Sequence, residues 1–179
     1  MKANVDSFST VRLEAERLTT GHLDEVLVLH RDPVVMKTLS PDGLPLPDDV
    51  TRRGLAGAAE HWERHGFGLW VFHEKGNGAF VGRGGLKFYP IEGRAVVGLA
   101  YAVASSRFGR GYATEMARAS LGVGFDRLGF TEIDSWTLPV NLASQRVMEK
   151  LGYRYSHDFE FAGLPHRYYR LNASEWTGG

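Results

Sequence analysis

The chain contains no cysteine. Disulfides, thiolate nucleophiles and thiolate-held metals are thereby excluded, and no metal is expected. It also lacks net charge, since 21 Lys and Arg offset 21 Asp and Glu. Non-specific nucleic-acid binding rests on a basic surface, so no nucleic-acid partner is expected. No apolar run is long enough to span a bilayer, and residues 1–10 are polar, without the apolar core of a signal peptide. No membrane partner follows, and a cytoplasmic location is the simplest expectation. Repeats and low-complexity tracts are missing too. What remains is 179 residues, 43% hydrophobic and 23% charged, a size and composition that suit one globular domain over residues 1–179, with residues 1–10 expected to be flexible.

Glycine and proline punctuate this chain into segments. Residues 17–20 read as a short first strand. Leu23, Val26, Leu27 and His30 recur at helical spacing. Pro33 opens a second short helix carrying Val34, Val35, Met36 and Leu39, and residues 41–47 form a loop. Asp48 or Asp49 is placed to cap a helix that runs to about His65. Residues 69–73 are aromatic and β-branched, Lys75-Gly76-Asn77-Gly78 is a turn, and residues 80–88 continue as a glycine-rich strand, so the pair reads as a hairpin. Residues 95–103 are almost continuously apolar, as in a central strand buried on both faces. After Gly111 the period changes: Ala113, Met116, Ala117, Ser120, Leu121, Phe125 and Leu128 share one helical face. Residues 133–138 are a strand, and 144–151 a helix ended by Gly152. Residues 153–161 and 167–171 close as a strand pair. The expected class is α+β: a mixed, mostly antiparallel twisted sheet with helices on both faces.

The chemistry concentrates in Val96-Val97-Gly98-Leu99-Ala100-Tyr101-Ala102-Val103, then Ala104-Ser105-Ser106-Arg107, then Phe108-Gly109-Arg110-Gly111-Tyr112-Ala113-Thr114-Glu115. This is a strand, a short loop and a glycine turn opening a helix. A helix start offers unpaired N–H groups and the positive end of its dipole. Glycine lets the backbone close on a ligand without a side chain in the way. Together these make an anion site, most naturally for phosphate. Gly109 and Gly111 allow the approach, N–H groups from Gly109 to Thr114 bind the oxygens, and Arg107 and Arg110 can add charge-assisted bonds. Two glycines alone would serve as well for a plain turn. The buried strand before them and the amphipathic helix after them tip the reading to phosphate.

Three phosphate motifs compete. A P-loop is excluded, because no Gly-Lys-Ser/Thr stands at the required spacing. The dinucleotide fingerprint matches at Gly109 and Gly111, with Asp134 near the position of a ribose-binding acid. Its third glycine would fall at Thr114, however, and antiparallel strands upstream cannot build a doubly wound sheet. The third is a family pattern. Phe108 to Glu115 resembles the pyrophosphate loop of GNAT acetyltransferases, with Gly111 and Ala113 matching and Phe108 standing where Gln or Arg is usual. Asn141-Leu142-Ala143-Ser144-Gln145-Arg146-Val147-Met148-Glu149-Lys150-Leu151-Gly152-Tyr153 resembles a second motif of that family. Glu16-Arg17-Leu18, Asp32-Pro33-Val34-Val35-Met36, Gly66-Phe67-Gly68-Leu69-Trp70 and Val81-Gly82-Arg83-Gly84-Gly85-Leu86 are similar to its RimJ/RimL-like branch, which includes acetylases of ribosomal-protein N-termini.

The resemblance implies a GNAT fold and transfer of an acetyl group from acetyl-CoA, as cosubstrate, to a primary amine on a small molecule or a protein N-terminus. It implies direct attack without an acyl-enzyme, with which the lack of cysteine agrees. It places pantetheine beside the backbone of Tyr101, Ala102 and Val103, where the strand splays from its neighbour, and gives an N–H near Val103 to the developing oxyanion. Phe108 and Tyr112 become contacts of the coenzyme. A glutamate often stands where this chain has Gly98, and a tyrosine where it has Met148, so neither usual base nor acid can be carried over. Glu115, His61, His65 and His166 are substitutes for the base, each with a capping, surface or packing role open to it. Ser144 is the candidate acid for the leaving thiolate, or the cap of its helix. Asn141 either bonds the pantetheine amides or shapes the turn. Trp62, Phe67, Trp70 and Tyr89 either line an acceptor pocket or pack in the core. Homodimers are common in the resembling branch. A coenzyme-binding sensor with little catalysis is the alternative, on the strength of Gly98 and Met148.

Overall fold

A computed structural model describes residues 5–178. Its frame is an eight-stranded sheet in the order β1-β2-β3-β4-β5-β6-β8-β7. The strands are β1 (Ser7–Ser9), β2 (Leu13–Arg17), β3 (Leu69–Glu74), β4 (Phe80–Ile91), β5 (Arg94–Val103), β6 (Glu132–Thr137), β7 (Arg154–Phe161) and β8 (Leu164–Asn172). The helices are α1 (Leu23–His30), α2 (Pro33–Met36), α3 (Asp48–His65), α4 (Tyr112–Gly122) and α5 (Leu142–Lys150). All neighbouring strands are antiparallel except β5 and β6.

Helices cover both faces, and β3 shows how. Its Leu69 and Val71 pack with Val26 of α1 and with Leu55 and Ala58 of α3. Its Trp70 and Phe72 point the other way, into a core shared with Met116 and Leu121 of α4 and Met148 of α5. Successive side chains of a strand alternate in this way by geometry. Trp62 and Trp70 meet edge to face with ring centres 5.5 Å apart. Each indole N–H is satisfied, by Leu69 O and Val5 O respectively.

Three local expectations differ. The first long strand is β2 at Leu13–Arg17, not residues 17–20. Buried Leu13 and Ala15 alternate there with exposed Glu14 and Glu16, a period of two that charge conceals. Of the stretch read as flexible, residues 1–4 lie outside the described residues. Residues 5–10 are instead tied down: Ser7–Ser9 pairs with β2, and Val5 is buried in the main core. At the start of α3, Pro47 occupies the cap position and no side-chain cap bond forms. Asp48 and Asp49 sit in the first turn, bonded to Arg31 and Arg53.

Candidate active site

The site begins where the sheet opens. Parallel β5 and β6 share a single register pair, Gly98 with Asp134. One step further, the Ser135 hydroxyl donates to Leu99 O at 3.1 Å. Beyond that the two strands part. Ala104 N–H donates to Val81 O on the β4 side, so strand alternation turns the amides of Tyr101 and Val103 toward the opening. A cavity of about 280 Å³ occupies it. Tyr101, Asn141 and Ser144 line it, together with Thr38, Leu39, Arg83, Tyr89, Trp136 and His166.

The glycine turn follows β5 directly. Residues Ser105–Arg107 make one 3-10 turn. Gly109 and Gly111 then adopt φ values of 73° and 77°, the left-handed region open to glycine. Gly111 is the N-cap of α4 and no side chain caps that helix. The first N–H groups of α4 are therefore left for a ligand or water. Arg12 braces the turn from the protein side. Its Nη1 donates to Arg110 O at 2.9 Å, and its Nε pairs with Glu115 Oε2 at 2.6 Å.

Two residues expected at the phosphate are committed elsewhere. Arg107 Nη1 meets Glu74 Oε1 at 2.9 Å, and the Tyr112 hydroxyl donates to the same oxygen at 2.6 Å. That bond from Tyr112, with one from Asn77, holds the Glu74 carboxyl below the ordinary carboxylate range. Tyr112 also lies under the Arg12 guanidinium, 4.3 Å from its ring centre. Only the backbone of Tyr112 is left to the turn. Phe108 is half exposed and Arg110 exposed, both free of such ties, and Ala113 and Thr114 complete the first turn of α4.

At the other side of the opening, Asn141 is the N-cap of α5: its side-chain oxygen accepts the Ser144 N–H at 3.1 Å. The helix thus starts at Leu142, two residues before the expected Ser144. Because Asn141 does the capping, the Ser144 hydroxyl is released from that role. It lies 2.8 Å from the Tyr101 hydroxyl. Burial pushes Tyr101 up to about 12, so the phenol stays protonated at neutral pH. Sequence spacing gave no sign of this pair, which joins residues 43 apart on β5 and α5.

The structure explains Gly98. A Cβ there would lie 2.7 Å from the Tyr89 ring and 2.8 Å from Trp136. These two rings meet edge to face, centres 4.9 Å apart, and fill the space a glutamate would need. Met148 is buried in the main core. Of the four substitutes for a base, only His166 lines the cavity. Glu115 is fastened to Thr10 and to the amide and guanidinium of Arg12. Burial pushes its carboxyl up, but those bonds prevail and hold it low. His61 uses both ring nitrogens, on Phe67 O and Phe88 N–H. His65 packs against Phe88. His166 Nδ1 donates to Leu164 O at 3.0 Å, which leaves Nε2 as the acceptor of the neutral ring. Of the four aromatics named for the pocket, Tyr89 lines it, while Trp62, Phe67 and Trp70 are core.

Behind Arg83 stands His30. Arg83 Nη2 donates to His30 Nε2 at 3.3 Å, and His30 Nδ1 donates to Thr51 Oγ1 at 3.0 Å. Burial, then the Arg83 charge, lowers His30 to about 4. Between the ordinary imidazole value of 6.5 and about 4, the unfolded chain binds a proton that the folded chain refuses. Stability therefore rises with pH across that window and levels off above it. From pH 7 to pH 5 the loss is expected to be on the order of 1 kcal/mol after solvent screening. Urea midpoints at the two pH values check this; His30→Gln should remove most of the difference, and an unchanged slope would contradict it.

Among the described residues no helix is long and apolar enough to cross a membrane. Residues 12–154 match the acetyltransferase (GNAT) domain family. YkkB of Bacillus subtilis (strain 168), an uncharacterized protein, is 39% identical over 129 residues, covering 72% of this chain and 73% of that protein. FsC-acetyl coenzyme A-N(2)-transacetylase of Aspergillus fumigatus is 31% identical over 161 residues, covering 84% of this chain and 66% of its own length. A GnaT-family acetyltransferase structure from Bordetella pertussis superposes with a TM-score of 0.79 at 24% identity, covering 92% of this chain and 98% of that one.

Proposed function

Because the chain belongs to the GNAT acetyltransferase family, we propose that it moves an acetyl group from acetyl-CoA to a primary amine, on a small molecule or a peptide N-terminus, by direct attack. That it is an acetyl-CoA-dependent acyltransferase follows from the family. The observation that carries the proposal is the opening of β5 from β6 after one register pair, beside the uncapped N-terminus of α4.

Acetyl-CoA supplies the activated acyl group, and the residues present fit it. The uncapped N–H groups of residues 109–114 suit its diphosphate, with Arg110 as an exposed cation and Phe108 as an exposed aromatic. Amides of Tyr101 and Val103 suit the pantetheine arm and the developing negative charge on the thioester oxygen. Ala102 shapes that strand end. Asn141 holds Ser144 at the opening. The Ser144 hydroxyl, bonded to Tyr101, donates to the leaving sulfur. His166 Nε2 accepts a proton from the amine.

An α-amine, with a pKa of about 7.7–8.0, needs little help from such a base at neutral pH, whereas a lysine amine at about 10.4 needs much. His166→Gln is therefore expected to lower kcat/KM on an α-amine about tenfold, below the usual range for acid–base catalysis. Its acid limb in the pH profile should flatten. An unaltered profile would remove His166 from the mechanism. We also read the chain as one domain near the RimJ/RimL-like branch, for which the motifs at residues 16–18, 32–36 and 81–86 are the support. Thiol release on mixing protein, acetyl-CoA and an amine panel tests the whole reading. Binding of acetyl-CoA without turnover on any amine would favour a sensor instead.

A further inference from the structure

One cation in the cavity has no counter-charge among the described residues. Arg83 extends from β4, where it stands opposite Ala102 of β5, and it lines the cavity together with Tyr89 and Trp136. Its one side-chain hydrogen bond among the described residues goes to neutral His30. Other arginines of this chain meet carboxylates, as Arg12 does Glu115 and Arg107 does Glu74. Among the described residues no carboxylate pairs with Arg83; burial lowers its pKa, and Tyr89 opposes the shift. Lys87, two positions on along the same face of β4, is likewise lowered by burial and then by Arg83. Two half-buried cations thus disfavour each other, a costly arrangement when no anion among the described residues answers it.

The neighbours leave room for an anion. On β5, Ala100, no larger than a methyl, lines the cavity. Leu39, Tyr89 and Trp136 supply apolar walls. A guanidinium presents a planar fork that matches a carboxylate through two parallel bonds. A cavity of about 280 Å³ has space for a small molecule.

Resting on the transferase reading above, we propose that Arg83 anchors a carboxylate of the acyl acceptor, so that the substrate is a small amine that also carries a carboxylate. The carboxylate pairs with the Arg83 guanidinium. The amine is thereby held toward the split, where the thioester lies in the transferase reading. Neither group changes covalently at Arg83, which is a binding residue.

The test measures kcat/KM by thiol release for free amino acids against their methyl esters, each expressed per unprotonated amine because esterification removes the negative charge and also lowers the amine pKa. Wild-type protein should prefer the free acids about 100-fold, the range seen when one partner of an enclosed charge pair is removed. Arg83→Gln should bring that ratio close to one, with the loss falling on the free acids. A wild-type ratio near one, or a preference for the esters, overturns the proposal without recourse to any variant. So does Arg83→Gln protein that keeps the full preference. Release from no amine at all, charged or neutral, overturns the transferase reading and this inference with it.

Discussion

Removal of the Ser144 and Tyr101 hydroxyls together, as Ser144→Ala with Tyr101→Phe, is expected to lower kcat about 100-fold, the lower end for general-acid catalysis. The leaving thiolate, with a pKa of about 8.5, asks less of an acid than an alkoxide would. The KM for acetyl-CoA should stay within about threefold, since neither hydroxyl belongs to the diphosphate cradle. Geometry also sets how the two single variants compare. Both residues line the cavity, Ser144 with its amide fixed by Asn141 and its hydroxyl 2.8 Å from that of Tyr101, whose pKa burial raises. Ser144→Ala alone should therefore account for most of the loss. Tyr101→Phe alone should cost less, and the two effects should fall short of additive, as for residues acting as a unit. Kinetics of the three variants decide this. A double variant with unchanged kcat would assign the pair to packing alone.

Gly111→Val is expected to weaken CoA binding about 100-fold, the loss of one to two charge-assisted hydrogen bonds. Gly111 sits at φ 77° as the N-cap of α4. A Cβ there would meet only Arg12 Nη2, at 3.6 Å, which is ordinary contact. The fold can therefore accept the side chain, at a backbone cost of about 1–2 kcal/mol for a left-handed residue. The ligand cannot, because valine projects where the backbone must come close. Gly129 separates these effects. It has φ 71° and open space around it, so Gly129→Val should share the loss of stability and keep full affinity. Titration calorimetry on both variants, with urea unfolding alongside, reads the two quantities independently.

Much of the frame could be read from the chain. The run at residues 95–103 is a central strand because both its faces are covered, and the turn at Lys75 to Gly78 joins two antiparallel neighbours as expected. The strand β2 was displaced because its outward positions are glutamates, whose charge hides an alternation of only five residues. At the site, legibility followed sequence distance. The glycine turn and the Asn141 cap are local, formed within a few residues, and their residues were in view. Arg107 looked free because its partner Glu74 comes from another strand. Arg83 read as part of a glycine-rich strand, and nothing near it in the chain discloses that β6 and the segment after α2 enclose it. Gly98 looked like a missing carboxylate; the aromatic pair of Tyr89 and Trp136, assembled only when β4 and β6 flank β5, is what requires glycine there. Side chains that meet across the sheet leave no spacing to recognise.

In a crystal of this chain grown with CoA, diphosphate oxygens should lie within hydrogen-bond distance, about 3 Å, of the N–H groups between Gly109 and Thr114, with the pantetheine arm in the opening between β5 and β6. CoA held elsewhere on the protein, with that turn and opening free of it, would rule out the diphosphate cradle.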